Sequence, residues 1–238
     1  LLTTHDIFEA GHLAQQLEIQ NRERQKITRA IQGQAEDLSL SADPNAILLF
    51  AVHPDFNAGV VGLAASRLTE KYYRPSVVGH IGDEFTRASC RSIAEFHITE
   101  ALDQCSDLLV RHGGHAAAAG FTVRNENLFE LSERLKSLAE KKLTHIDLNP
   151  TLHADIEIPL SDLNPTLLEH LDWMQPTGYG NHQASFVSRN LKPTRYRTVG
   201  KDSSHLKLSI SDGIITFDAI AFRQGFWANQ MPPRIDLL

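Results

Sequence analysis

The chain has 238 residues, with 42% hydrophobic and 22% charged side chains, and a formal net charge of −6. That length is generous for one domain and comfortable for two, and the balance of apolar and charged residues is that of an ordinary globular protein. The acidic total argues against a protein that coats nucleic acid over its whole surface. No apolar run approaches a membrane span, and the start lacks a signal-peptide pattern. Two cysteines, Cys90 and Cys105, are too few for a disulfide framework or a zinc site and suit a reducing, cytoplasmic setting. The chain lacks an initiator Met and is read as a piece of something longer.

Residues 5–37 carry apolar residues at helical spacing that thin out around the charged NRERQKITRA. This predicts one long helix able to bridge two domains without filling a core. A Pro-containing turn is expected at 41–45. AILLFAV (46–52) reads as a buried strand, and residues 60–72 as a helix. Short strands follow at 76–81 and 85–90. Residues 98–111 read as a helix with Leu102, Cys105 and Leu109 as its stripe, ended by Gly113 and Gly114. A strand at 117–123 and an amphipathic helix at 126–143 complete an α/β pattern.

After Asn149-Pro150 the pattern changes. A strand is expected at 153–159, a short helix at 164–174 and a turn at PTGYGN. Strands follow at 184–188, 194–200, 205–210, 214–222 and 234–238, with KDSS and SDG as hairpin turns. Several short strands in so few residues predict a small barrel, truncated where the last strand meets the chain end. The expected domains are a connector helix (1–44), an α/β domain (45–148) and a β domain (149–238).

Three loops carry chemistry. In HPDFNAGVVG (53–62), glycines and a helix N-terminus could cradle a phosphate, with Asn57 offering an amide; an ordinary strand-to-helix turn explains it as well. In TRASCRSI (86–93), Arg91 and Ser92 offer a planar fork and a hydroxyl to a phosphodiester, or are a surface Arg and a capping Ser. In RHGGHAAAAGF (111–121), two glycines before His115 and four alanines exceed what a helix cap needs. His115 could donate to a phosphate and stabilise transition-state charge.

Charge is uneven in the C-terminal part. Arg189, Lys192, Arg195, Arg197, Lys201 and Lys207 face one acid, Asp202, whereas 151–175 holds five acids and no Lys or Arg. A cationic stripe on an acidic chain suggests one defined anionic contact, although a solvated strand face accounts for the charge equally well.

In this order, HPDFNAGVVGLAASRL, CRSI and ALDQCSDLLVRHGGHAAAAGF resemble the DHH-associated domain, type 1, of the DHH phosphoesterase superfamily. With the charged helix before them, and PTGYGNHQASF and HLKLSI after, the chain resembles the RecJ family of single-strand exonucleases. The resemblance implies a parent enzyme that degrades single-stranded DNA from its 5′ end during repair and recombination. Divalent metal, Mn or Mg, would be bound by an upstream DHH domain outside this piece. Asn57, Arg91, Ser92 and His115 would contact phosphates, Gly113 and Gly114 would shape the grip, and His115 would aid catalysis. The β domain would be of the oligonucleotide-binding (OB) type. Its groove would comprise Arg189, Lys192, Arg195, Tyr196, Arg197, Lys201 and Lys207, with Tyr196 and Phe217 as stacking candidates.

Two features depart from that family. Cys90 stands where it has glycine, so a positive φ there would strain the chain. No DHH triplet or Asp/His array is present, and His5-Asp6 reads as structural; the piece is therefore expected to hold no metal and to be inactive alone. The partners implied are single-stranded DNA and the DHH domain, with no membrane. Two alternatives stay open: a related phosphodiesterase for short oligonucleotides or cyclic dinucleotides, and a non-catalytic nucleic-acid-binding module.

Overall fold

A computed structural model describes residues 1–41 and 43–238, so the turn expected at 41–45 lies in part outside the described residues. The chain forms two compact units, Leu1–Pro150 and Thr151–Leu238.

The first unit opens with α1, Ile7–Leu40, about 50 Å long at 1.5 Å per residue. The Asp6 carboxylate caps it by accepting from the backbone N–H groups of Phe8 and Glu9. Its buried residues, Thr28, Ile31 and Ala35, all lie in the second half. That half packs on the βαβ element formed by β1 (Leu49–His53), α2 (Val61–Tyr72) and β2 (Ser76–Ile81). The Glu36 carboxylate accepts from Lys71 Nζ and Tyr72 Oη, each at 2.6 Å.

β1 and β2 are parallel; β3 (Phe85–Arg91), β5 (Ala118–Arg124) and β4 (Leu109–His115) extend the sheet antiparallel, in the order β1-β2-β3-β5-β4. Alternation along the strands builds a core on each face. Leu49, Ala51 and Val78 meet Ala64, Ala65 and Leu68 of α2 together with Ile31 and Ala35. On the other face, Val77, Ala88, Cys90, Ala119, Phe121 and Val123 pack against α3 (Ile98–Asp103) and α4 (Leu128–Leu143) through Leu102, Leu131, Leu135 and Leu143.

One expected element is replaced. The helix predicted over 98–111 stops at Asp103, and 109–115 is strand β4. Leu102, Cys105 and Leu109 do share the core, which is why their spacing resembles a helix stripe. Leu109 reaches the core from the start of a strand, and pairing with β5 overrides the local pattern. Gly113 and Gly114 therefore lie in a β-hairpin rather than at a helix end.

In the second unit, β7 (Phe186–Val199) is one 14-residue strand where two were expected. It bends at Asn190, whose φ is 56°, and bulges between Pro193 and Arg195, which hides its continuity in the sequence. It pairs with β6 (Ile156–Glu157), with β10 (Ile235–Leu237) and with β8 (His205–Ser211), which pairs in turn with β9 (Thr216–Ala221). The strand expected at 153–159 is reduced to the two residues of β6. Helix α5, Pro165–Asp172, is capped by Asn164, whose side chain accepts from Leu167 N at 3.0 Å. Leu160, Leu191, Leu206, Leu208 and Ile210 form the core, with Phe217 packed against it. The strands expected to form a small barrel are in place, and among the described residues no ladder joins β9 to β10 to close it.

Candidate nucleic-acid interface

Strand register decides which side chains meet. β3 sends Phe85, Arg87, Ser89 and Arg91 to the face opposite Ala88 and Cys90. Paired residues stand on the same face, so three rows run across the sheet. Arg91, Ala118 and His115 form one; Ser89, Gly120 and Gly113 the next; Arg87, Thr122 and Arg111 the third. With strands about 4.8 Å apart, the outer members of a row are about 10 Å apart at the backbone. Arg87, Arg111, Gly113 and His115 are exposed.

The charged residues in the strands of this face are all basic. Residues 85–91 and 109–124 contain four arginines and no Asp or Glu. Among the described residues, Arg87, Arg91 and Arg111 form no ion pair. Arg91 Nη1 donates to the Cys90 carbonyl at 2.8 Å, and Arg111 Nε donates to Thr122 Oγ1 at 3.2 Å, so each guanidinium keeps free donors. Arg124 lies over the Phe85 ring at 5.2 Å.

The first loop joins the same place. A Cβ on Gly62, in the first turn of α2, would stand 3.3 Å from Arg91 Nη2 and 3.4 Å from Ser89 Oγ. Glycine there lets the helix N-terminus, with its unpaired N–H groups, lie against Arg91. The exposed Asn57 shapes that loop: its Oδ1 accepts from Gly59 N at 2.8 Å.

Ser92 is engaged elsewhere. Its hydroxyl donates to the Phe96 carbonyl at 2.6 Å, and its backbone N–H donates to the Ala117 carbonyl at 2.9 Å. Ser89 is the hydroxyl beside Arg91 on the open face. Ile98 N donates to Ala116 O at 3.0 Å, and Thr99 Oγ1 to His115 O at 2.8 Å. The small Ala116 and Ala117 thus admit a neighbouring backbone that pins the hairpin tip below His115. Sequence reading passed over Arg87, Ser89 and Arg111. The period-two spacing of Arg87, Ser89 and Arg91, and of Arg111, Gly113 and His115, could have found them once both segments were read as strands.

The two glycines of the hairpin differ. Gly114 has φ +150°, and a Cβ there would lie 2.3 Å from the Ala118 carbonyl oxygen. Over Gly113 nothing lies within 4 Å of a Cβ. Cys90 is not among the positive-φ residues; it points into the core, where burial pushes its thiol up to about 12.

In the second unit, Lys192, Arg195, Arg197 and Lys207 share a face by register with Ser209, Ser211 and Asp218. A depression of about 280 Å³ lies among Arg195, Arg197, Lys207, Ser209 and Asp218. Asp218 accepts from Ser209 Oγ at 2.8 Å and faces Lys207 Nζ at 3.4 Å. These partners, the serine first, hold its carboxyl below the usual carboxylate range. Arg189 is already paired, to Glu157 at 2.8 Å and Asp236 at 2.9 Å. Tyr196 alternates with Arg195 and Arg197 and is partly exposed, Lys201 is exposed in a turn, and Phe217 packs on the core.

Among the described residues no three His, Cys, Asp or Glu side chains come together to hold a metal ion, so the donors present do not fit one. No helix among them is long and apolar enough to cross a membrane.

Comparison with known proteins places both units. The model of the DHHA1 domain matches residues 44–141, and that of the RecJ OB domain matches residues 154–238. The single-stranded-DNA-specific exonuclease RecJ of Bacillus subtilis is 30% identical over 227 residues, covering 94% of this chain and 29% of that protein. Its counterpart from Dickeya dadantii is 32% identical over 233 residues, covering 93% and 40%. The crystal structure of Thermus thermophilus RecJ in complex with Mn²⁺ matches 98% of this chain and 33% of that one, with a TM-score of 0.78 and 28% identity. The chain thus spans 29% to 40% of the length of these curated relatives and solved structure.

Proposed function

The chain belongs to the RecJ family, of which it carries the DHHA1 and OB domains, and on that premise we propose that it is the substrate-holding part of a single-stranded-DNA-specific exonuclease. One observation carries the reading. Three segments far apart in sequence deliver Arg91, His115 and the N-terminus of α2 to one end of a sheet face that contains no carboxylate.

That end suits a phosphodiester. The helix N-terminus supplies backbone N–H groups and positive dipole, Arg91 a planar fork, His115 a ring N–H, and Asn57 a side-chain amide. Ser89 adds a hydroxyl, whereas the hydroxyl proton of Ser92 serves the loop that positions the hairpin. In the OB domain, Lys192, Arg195, Arg197 and Lys207 would follow the strand's backbone as a second anionic contact. There Asp218 holds Lys207, and Arg189 stays with its carboxylates.

The divalent metal belongs, in this reading, to a DHH domain of the parent protein. The part described here binds and orients the strand, with His115 placed to stabilise charge on the phosphate under attack. The 5′ to 3′ polarity follows the family resemblance.

The test is fluorescence anisotropy with 5′-labelled single-stranded DNA and its duplex. The single strand should bind more tightly, with a salt-dependent Kd. Arg91→Ala and His115→Ala should each weaken it about tenfold or more, as loss of a charge-assisted hydrogen bond does. With Mn²⁺ added, the chain alone should leave the label intact. Equal affinity for the duplex, or indifference to both substitutions, would refute the assignment.

A further inference from the structure

We propose that Arg87 and Arg111 form a second phosphate seat on the same sheet face, separate from the Arg91–His115 end, with Gly113 and Gly120 as its floor. The inference rests on the reading of that face as a nucleic-acid grip and adds the residues that would give it length.

Arg87 and Arg111 stand opposite each other across Thr122, about 10 Å apart at the backbone. One guanidinium can thus reach inward from each side. In the neighbouring row the two members beyond Ser89 have no side chain: Gly113 and Gly120 face each other, leaving a depression of about 370 Å³ whose walls include both arginines. The fold does not require glycine at 113, because a Cβ there would meet nothing within 4 Å and its φ is not positive. Valine or threonine would suit that strand position better on propensity alone. The empty space over Gly113 is therefore room for something outside the chain. The arginines on its rim, free of carboxylate partners among the described residues, select an anion.

Along β3, Arg87 is four residues from Arg91, about 13 Å. Stacked nucleotides rise about 3.4 Å each along one strand, so the two seats span about four stacked nucleotides, or fewer in an extended strand. A dinucleotide fills one seat, and a longer strand fills both.

The experiment compares an octanucleotide with a dinucleotide on the full 238-residue chain, reading Kd against salt. Arg87→Ala combined with Arg111→Ala should weaken octanucleotide binding at least tenfold at low salt. It should lower the magnitude of the slope of log K against log salt by about 0.7, the value for one phosphate contact on a single strand, and leave the dinucleotide within twofold. Gly113→Val should keep the thermal midpoint of the wild type and still weaken the octanucleotide. If Arg91→Ala weakens binding while the double variant changes neither octanucleotide Kd nor slope, the second seat is wrong and the first stands. If Arg91→Ala has no effect either, the reading of the whole face falls. Full octanucleotide affinity with folded Gly113→Val would also overturn the seat, because its floor would then be filled without consequence.

Discussion

An alanine methyl at Gly114 would lie 2.3 Å from the Ala118 carbonyl oxygen, on a backbone with φ +150°. Either fault alone disfavours a side chain, and together they force the hairpin to shift. Gly114→Ala should therefore cost at least about 2 kcal/mol of stability, visible as a lower denaturant midpoint with an unchanged m-value. A midpoint like that of wild type would mean the turn relaxes freely. Gly113 next to it carries no such constraint, so a dipeptide that reads as one motif contains one glycine that the backbone requires and one that it does not. Cys90 gives the converse lesson. It occupies a position where the resembled family has glycine, yet its backbone is extended strand between Val77 and Ala119. The small side chain is accommodated by the core, and Arg91 beside it is delivered to the open face without strain.

At the scale of elements, α1 shows how a mostly polar helix is held. Only its second half has buried residues, and there Glu36 ties it to Lys71 and Tyr72 of α2. The hydrogen bond from Lys71, then that from Tyr72, holds the Glu36 carboxyl below its ordinary value. A depressed carboxyl contributes stability above its unfolded pKa, about 4.3, and loses it as pH falls through the lower folded value. Docking of α1 should thus be flat from pH 8 to 5 and loosen below about pH 4. NMR of the 28–40 amides across that range should show the change, and Glu36→Gln should weaken docking already at pH 7 while removing this carboxyl's part of the acid response. A pH-independent docked helix in wild type would mean that Ile31 and Ala35 hold it alone. β4 makes the opposite point about legibility. Its Leu109 and the preceding Leu102 and Cys105 match a helix period, and nothing local distinguishes that stripe from a helix, a turn and a strand feeding one core.

For the whole molecule, residues 147–154 carry no regular structure and join two units with separate cores. Limited proteolysis should cut there first and release two fragments, each unfolding cooperatively in calorimetry. A fragment 151–238 that fails to fold alone would show that its small core needs the rest of the chain. Each unit also carries its own cationic face on a chain of net charge −6, which favours a localised anionic contact over indiscriminate coating.

The sequence by itself determined α1, the strands and helices before Pro150 apart from β4, the run of short strands after it, and the motifs by which the family is recognised. These are local patterns, set by periodicity, capping and turn residues within a few positions of one another. Only the tertiary structure decided that Arg87, Ser89 and Arg91 look across at Arg111, Gly113 and His115, that Ser92 turns to Phe96, and that Arg189 is spent on Glu157 and Asp236. Register between strands some 25 residues apart is a property of sheet pairing, and a one-residue slip would send every one of those side chains to the other face.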